Sequence, residues 1–423
     1  MEPWDSAFGR GWERVSYSGR FVAPFVQPLR AEPMAWSGST RGTVACDVLL
    51  MEDDTLQLAR YAGRVRNQCV MWQQWTPIEP EFSPQPRRFA AESLVAWSAE
   101  RPDPQQEEQR VRQSEFARTR ERASTAAILR FLRQERPAVL LIPSGWTYGL
   151  LRTGGHPDGA MARDSSYEPI PALMLTHEQY GQAYRLAKRG VVARLEVNVQ
   201  NRWVNPDRGE FHVVAEIPGT DLRQQLVMVG AHFDSWYSGQ GATDDGAGSI
   251  VMMEAMRILK TLGLPLRRTV RIALWSGEEQ GIIGSRHYVR QHAAEMPTVS
   301  AYLNVDNGSG RLRGVWGQYN ERAVQVFEQI LEPFTGVGIV ASRLHSTGGT
   351  DHLSFDRVGV PGFQFIQDPL EYGIRSHHSE VDTYERLVLD DLKQAATITA
   401  WTVYTIANRD EMMPRKVGVA PVP

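Results

Sequence analysis

Residues 226–276 read LVMVGAHFDSWYSGQGATDDGAGSIVMMEAMRILKTLGLPLRRTVRIALWS, and this stretch decides the fold. Two short apolar runs, 226–231 and 269–276, have the length of buried strands. Between them, Ile250, Val251, Ala255, Ile258, Leu259 and Leu262 recur at helical spacing, and Gly263 comes next as a stop. Strand, crossover helix and strand in that order make a βαβ unit. The chain after Glu210 keeps to this pattern, with strands expected at 301–306 and 362–366 and helices at 323–331 and 389–406. The expected class is α/β: a mixed, largely parallel sheet flanked by helices.

Upstream the texture differs. Short apolar runs at 43–50, 138–142 and 193–199 read as strands broken by turns, and the last alternates apolar and polar residues as a half-buried strand does. Prolines at 77, 80, 84 and 86 exclude a regular helix or central strand from 76–86, which reads as a surface loop. The charge-rich stretch 101–122 reads as a solvated helix or a loop.

A chain of 423 residues, 42% of them hydrophobic, is too long for one ordinary core and too apolar for disorder, so two domains or one with a large insertion are expected. The formal net charge of -3 gives no electrostatic reason to expect nucleic acid or anionic lipid as a partner. No apolar run approaches the roughly 20 residues that cross a membrane, and no basic start leading into an apolar stretch opens the chain as a secretory signal would. Only Cys46 and Cys69 are present; they read first as separate free thiols, with one bridge as the other reading.

The chemistry lies just beyond the carboxyl end of each strand, where open α/β sheets bind ligands. His232-Phe-Asp234 places a neutral imidazole, a good zinc ligand, two residues before an acid that can accept its other N–H. Alone, this fits a structural histidine equally well. Asp244 and Asp245 open the next helix; capping needs one carboxylate, so Asp244 is assigned as a bridge between two cations and Asp245 as its support. Glu278 and Glu279 are adjacent at a strand end and would repel unless a cation or proton sits between them. Glu279 is therefore assigned to metal and Glu278 to taking a proton from the attacking water. Asp306 ends the strand at 301–306, and His378 lies in a polar loop before the last helix. Three carboxylates and two imidazoles without a thiolate suit zinc, with manganese or cobalt as substitutes.

Taken in order, HFDSWYSGQGATDDGAG, LWSGEEQGIIGS, NVDNG, GGTDH and HHSEVDT resemble the motifs of the M28 metallopeptidases, and the likeness runs from about Phe8 to Pro414. The resemblance implies two zinc ions per chain. His232 and Asp306 would lie on one side, Glu279 and His378 on the other, with Asp244 bridging, Glu278 as acid and base, and Asp234, Asp245 and Asp382 in support. It implies an exopeptidase acting on dipeptides or short peptides, as a carboxypeptidase or an aminopeptidase. It also implies residues 1–41 pairing with the catalytic domain, a β-rich protease-associated insert over 42–208, and the catalytic domain over 209–423. Such inserts shape the cleft or an oligomer contact, a homodimer being the assembly expected here.

The chain departs from the family in two places. Where related aminopeptidases often carry Tyr before the last ligand, this chain has His377, which becomes the candidate for stabilising the oxyanion. Family members also carry a leading segment with helices and usually an export signal ahead of the region matching residues 1–12. Without those helices one sheet face is expected to be exposed. His352 matches a position that supports the cleft. Two rival readings are a glutaminyl cyclase-like acyltransferase holding one zinc, and a peptidase homologue that only binds; the complete ligand set argues against both.

Overall fold

The computed structural model describes residues 1–4, 8–52, 55–204 and 209–416, apart from the side chains at 104, 105, 107, 108 and 111. It contains two eight-stranded sheets. In the first, the order is Glu2–Pro3, Phe211–Ile217, Thr269–Trp275, Leu226–His232, Val299–Asn304, Gly362–Gln367, Leu312–Trp316 and Ala341–Arg343. The strands from Thr269–Trp275 to Gly362–Gln367 are mutually parallel, and antiparallel pairs flank them on both sides. The sheet is thus the mixed, largely parallel one expected.

Burial on both faces explains the unbroken apolar runs. Val227, Val229 and Ala231 point to one face, packing with Val251, Met252, Ala255 and Leu259 of the helix Ala247–Leu262 and with the helices Glu321–Leu331 and Leu389–Asn408. Leu226 and Met228 point to the other, against Tyr288 of Ile283–Gln291 and Phe355 of His352–Asp356. This alternation is the two-residue period of a strand. At Gly230 a Cβ would lie 2.4 Å from the Tyr302 hydroxyl, so glycine leaves room for the buried pair in which Trp275 Nε1 donates to Tyr302 at 2.8 Å. Gly263 ends the crossover helix in the left-handed conformation, as its position suggested.

The second sheet runs Gln27–Pro28, Gly11–Ala23, Arg194–Val204, Val44–Leu50, Cys69–Met71, Val139–Pro143, Ala172–Leu175 and Ala31–Pro33. Val139 and Leu141 face a core closed by the helix His177–Lys188; Leu140 and Ile142 face one closed by Ile128, Leu129 and Leu132 at the end of the helix Pro104–Glu135. The stretch at 101–122 is therefore largely helical, and the loop reading of it is set aside. The segment 76–86 contains neither helix nor strand.

Within 1–41, Glu2–Pro3 joins the first sheet, with Trp4 N–H donating to the Glu210 carbonyl, while Gly11–Ala23 pairs along Arg194–Val204. Phe21 alone is buried in Gly11–Ala23, so side-chain burial does little to place this strand, and its place is set by backbone pairing. Two expectations are corrected. Cys46 and Cys69 are not free thiols: they lie on adjacent parallel strands, Cα atoms 5.4 Å apart, joined as a disulfide. Their 23-residue separation hides a proximity that only strand pairing creates. Nor is a whole sheet face bare among the described residues, since the central strands are buried and partial exposure falls on Phe211–Ile217, next to the two-residue edge strand Glu2–Pro3. The boundary drawn at 208 falls outside the described residues.

Phe327 is fully buried and meets Phe363 edge to face at 4.8 Å between ring centres. Truncation to Ala removes this packing, and Phe327→Ala should lower unfolding free energy by about 3–5 kcal/mol, measured by denaturant titration.

Candidate metal centre

The sheet delivers its polar residues to one end. His232 closes its strand with its ring buried. Its Nδ1 lies 2.9 Å from the carbonyl of Asp234, which can only accept, so Nδ1 carries the proton and Nε2 presents its lone pair. That Nε2 faces Asp244 Oδ1 at 3.3 Å and Asp306 Oδ1 at 3.6 Å. The expectation that the Asp234 carboxylate would orient this ring is corrected: it is 3.8 Å away and instead accepts the backbone N–H groups of Glu278 and Glu279 at 3.2 and 3.3 Å. The carbonyl is better placed, and the carboxylate is held by the turn opposite.

Asp244 sits in the turn Ala242–Gly246 that opens the crossover helix, with non-helical φ −134°. Its Oδ2 faces away from His232, towards His378 Nε2 at 3.3 Å, and His378 Nε2 reaches Glu279 Oε2 at 2.8 Å. The two oxygens of Asp244 thus address different imidazoles. Asp245 turns inward, accepting from Gly248 N–H at 3.0 Å, while its carboxylate also falls within reach of the His232 and Asp306 donor atoms. Asp382 holds the turn from beneath. It accepts from Thr243 N–H and Oγ1, both at 2.7 Å, and from Asp244 N–H at 3.0 Å. Glu278 is buried and lines, with Glu279, Asp306, His377 and His378, a cavity of about 400 Å³. The His377 ring centre is 3.8 Å from that of His378, and its Nε2 is 3.8 Å from Asp244 Oδ2. His352 Nε2 meets the Thr347 carbonyl, buried beneath the cavity wall.

Electrostatics give this cluster its character. Burial drives Glu278 well above the ordinary glutamate value, and burial together with Asp244 pushes Glu279 up to about 10. Asp245 is raised by burial and Asp306. Burial opposes both changes at the first pair, yet Asp306 and Asp244 hold the His232 imidazole well above its usual range, and His232 and His378 hold Asp244 below its own. The protein brings together more carboxylate than its own charges neutralise. His232 Nε2, Asp244 Oδ2 and Glu279 Oε1 are also buried with no hydrogen-bond partner. Orphaned acceptors of this kind, grouped about one carboxylate, fit divalent cations.

Sequence reasoning missed three groups. Asp351 is fully buried, and burial, opposed by His232, pushes it up to about 7; it stands beside His352 in the GGTDH motif, but no strand leads into it. Tyr372 lines the cavity with its ring 4.9 Å from His377, and had no strand-end signal. The third comes from the other sheet's lobe. Thr153 N–H donates to the His378 carbonyl at 2.6 Å, Trp146 Nε1 to the His377 carbonyl at 3.2 Å, and Leu151 N–H to Glu380 at 2.8 Å. Contacts between segments so distant along the chain leave no local trace in sequence.

The strand-end donors of this α/β domain form groups that could hold a metal ion. Residues 212–403 match the model of peptidase family M28. Carboxypeptidase Q of Pongo abelii is 33% identical over 246 residues, which are 58% of this chain and 52% of that protein. The chain thus spans about half the length of this curated relative. The structure of a peptidase M28 precursor from Shewanella amazonensis SB2B shares the fold, with a TM-score of 0.71 at 21% identity over 98% of this chain and 86% of that one. So does a zinc aminopeptidase from Bacillus subtilis, at TM-score 0.58 and 14% identity over 97% and 88%.

Because Asp382 fixes the turn that aims Asp244, Asp382→Ala should weaken zinc binding about 10–100-fold with the fold retained, read by competition with a chromophoric chelator. Unchanged affinity would show that the turn holds without it.

Proposed function

We propose that this chain is a dizinc exopeptidase that hydrolyses dipeptides or short peptides. One observation carries the reading: the carboxylate of Asp244 lies between the Nε2 atoms of His232 and His378, at 3.3 Å from each, with Asp306 beside the first and Glu279 beside the second. His232 and Asp306 would hold one ion, His378 and Glu279 the other, and Asp244 both. Zinc is favoured by the donor set and by the zinc aminopeptidase of the same fold, with manganese or cobalt as substitutes. Two such ions, when bound, would polarise the scissile carbonyl and acidify water.

The remaining work falls to side chains. Glu278 stands in the cavity wall with its backbone anchored by Asp234, so its carboxylate is placed independently of Glu279. A carboxylate there, beside the ligands and outside the ligand set, could take a proton from the attacking water and return it to the leaving amine. Burial, with His378 beside it, lowers His377 to about 4, so at neutral pH it is an uncharged imidazole able to donate one N–H to the developing oxyanion. Asp245 and Asp382 position Asp244. The lobe built on the second sheet is read as a protease-associated domain, now including Gly11–Ala23, that shapes the cleft through Trp146, Leu151 and Thr153.

In the zinc-loaded protein, Glu278→Gln should retain both metals yet lose at least about 100-fold in turnover of a dipeptide, whereas Asp244→Ala should lose metal as well. Equal hydrolysis by wild type and Glu278→Gln would remove the proposed base. Elemental analysis should find two zinc ions per chain; a single ion would favour the acyltransferase reading.

A further inference from the structure

Between Cys69–Met71 and Val139–Pro143, parallel neighbours in the second sheet, the chain takes a long detour. A crossover between parallel strands needs roughly a dozen residues. Here residues 72–138 leave the lobe, meet the first sheet at 87–100 and return through the helix Pro104–Glu135. Part of this detour has a plain structural use. The helix Ala91–Ala99 buries Leu94 against Ala341 and Ile366, Phe89 meets Trp97 edge to face at 4.8 Å, and Arg343 donates to Glu100 at 2.6 Å, so the edge strand Ala341–Arg343 is covered.

Edge cover does not account for Arg87 and Arg88. Arg87 and Leu370 exchange backbone hydrogen bonds at 3.1 and 2.9 Å. Arg88 Nη1 donates to Asp368 Oδ2 at 2.9 Å and to Asp391 Oδ2 at 2.7 Å, and Phe89 N–H donates to Asp368 Oδ1 at 3.0 Å. Both carboxylates are buried, whereas the Arg88 side chain is 39% exposed. These two acids are the roots of one loop. It leaves the strand Gly362–Gln367 at Asp368 and enters the helix Leu389–Asn408 in its first turn, at Asp391. Between the roots it carries Tyr372, His377, His378 and Asp382. The tie continues inside the loop, because the Tyr372 carbonyl, two residues past Leu370, accepts the His377 N–H at 3.0 Å. Arg311 stands 3.3 Å from Asp391 and Arg313 3.6 Å from Asp368, so neither buried acid loses its last cation when Arg88 is removed. What is lost is the link between the roots.

We propose that Arg88 is a positioning residue: reaching over from the second lobe, it clamps both roots of the loop 368–391 and so sets His378 for its metal ion. The metal half of this proposal rests on the dizinc reading above.

The test uses the full chain. In the metal-free protein, Arg88→Ala should speed amide hydrogen exchange across 369–382 about tenfold or more while the central strands of the first sheet stay protected. In competition with a chromophoric chelator, the zinc step that His378→Ala abolishes should weaken about tenfold, and the other step less. Arg88→Lys should recover part of both. Trp97→Ala, which strips the edge cover alone, should lower unfolding stability and move neither readout. Unchanged exchange across 369–382 overturns the proposal, as does a loosened loop with both zinc steps at wild-type strength. Equal weakening of the two steps, with exchange raised throughout the first sheet, also overturns it, since Arg88 would then be a general stabiliser. If wild type binds no zinc but Arg88→Ala loosens 369–382 alone, the dizinc reading falls and the clamp stands. Should Arg88→Ala fail to fold, Arg88→Gln, which keeps a long side chain without the charge, is read by the same outcomes.

Discussion

The structure is organised around one electrostatic constraint, the burial of several carboxylates about Asp244 without lysine or arginine among them. Burial drives Glu278, Glu279 and Asp245 upward although His232 opposes each change, and of these four carboxylates only Asp244 is held below its ordinary value. A protein folding for stability alone would replace such a cluster with apolar side chains, because desolvating like charges together costs more than their packing returns. Its persistence at the ends of parallel strands, where loops can be varied while the sheet beneath stays packed, is the mark of a site whose missing charge is supplied by a ligand.

The sheet supplies the precision. Leu226–His232 pairs in parallel with both Thr269–Trp275 and Val299–Asn304, so His232, the turn after Trp275 and Asp306 emerge side by side. Beneath them the hydrogen bonds from Trp275 to Tyr302, Tyr302 to Asn304, and Asn304 to Thr350 and Gln364 tie the strands together below the cavity floor. Buried hydrogen-bonded chains of this kind stiffen a core, and here they lie directly below the donor atoms. The crossover helix contributes through its start, where the turn at 242–246 aims one carboxylate outward and one inward.

Much of this is legible in the chain. The strands at 226–231 and 269–276, the helix between them and the strand-end acids emerge from periodicity and position, which are local properties. The features that escape such a reading are non-local. The place of Gly11–Ala23 rests on its backbone pairing with Arg194–Val204, and the Cys46–Cys69 bridge likewise depends on a pairing of strands. Asp234 reads as orienting His232 because it is two residues away, yet its carboxylate serves the turn at 278–279 and only its carbonyl meets the ring. Sequence proximity identifies a neighbour but not which of its atoms is used.

The adjacency of Glu278 and Glu279 has its reason in the same geometry. Consecutive side chains leaving a strand diverge, so a single turn presents one carboxylate towards His378 and the other into the cavity. Asp234 accepts both of their backbone N–H groups, which fixes the turn without occupying either glutamate. On the proposed reading, a ligand and a base differ in role while sharing one anchor. The loop of the second lobe acts on the opposite wall in the same manner, gripping the carbonyls of His377 and His378 and leaving their rings free. Both walls are held by backbone groups, so the side chains between them are not needed to hold the walls in place.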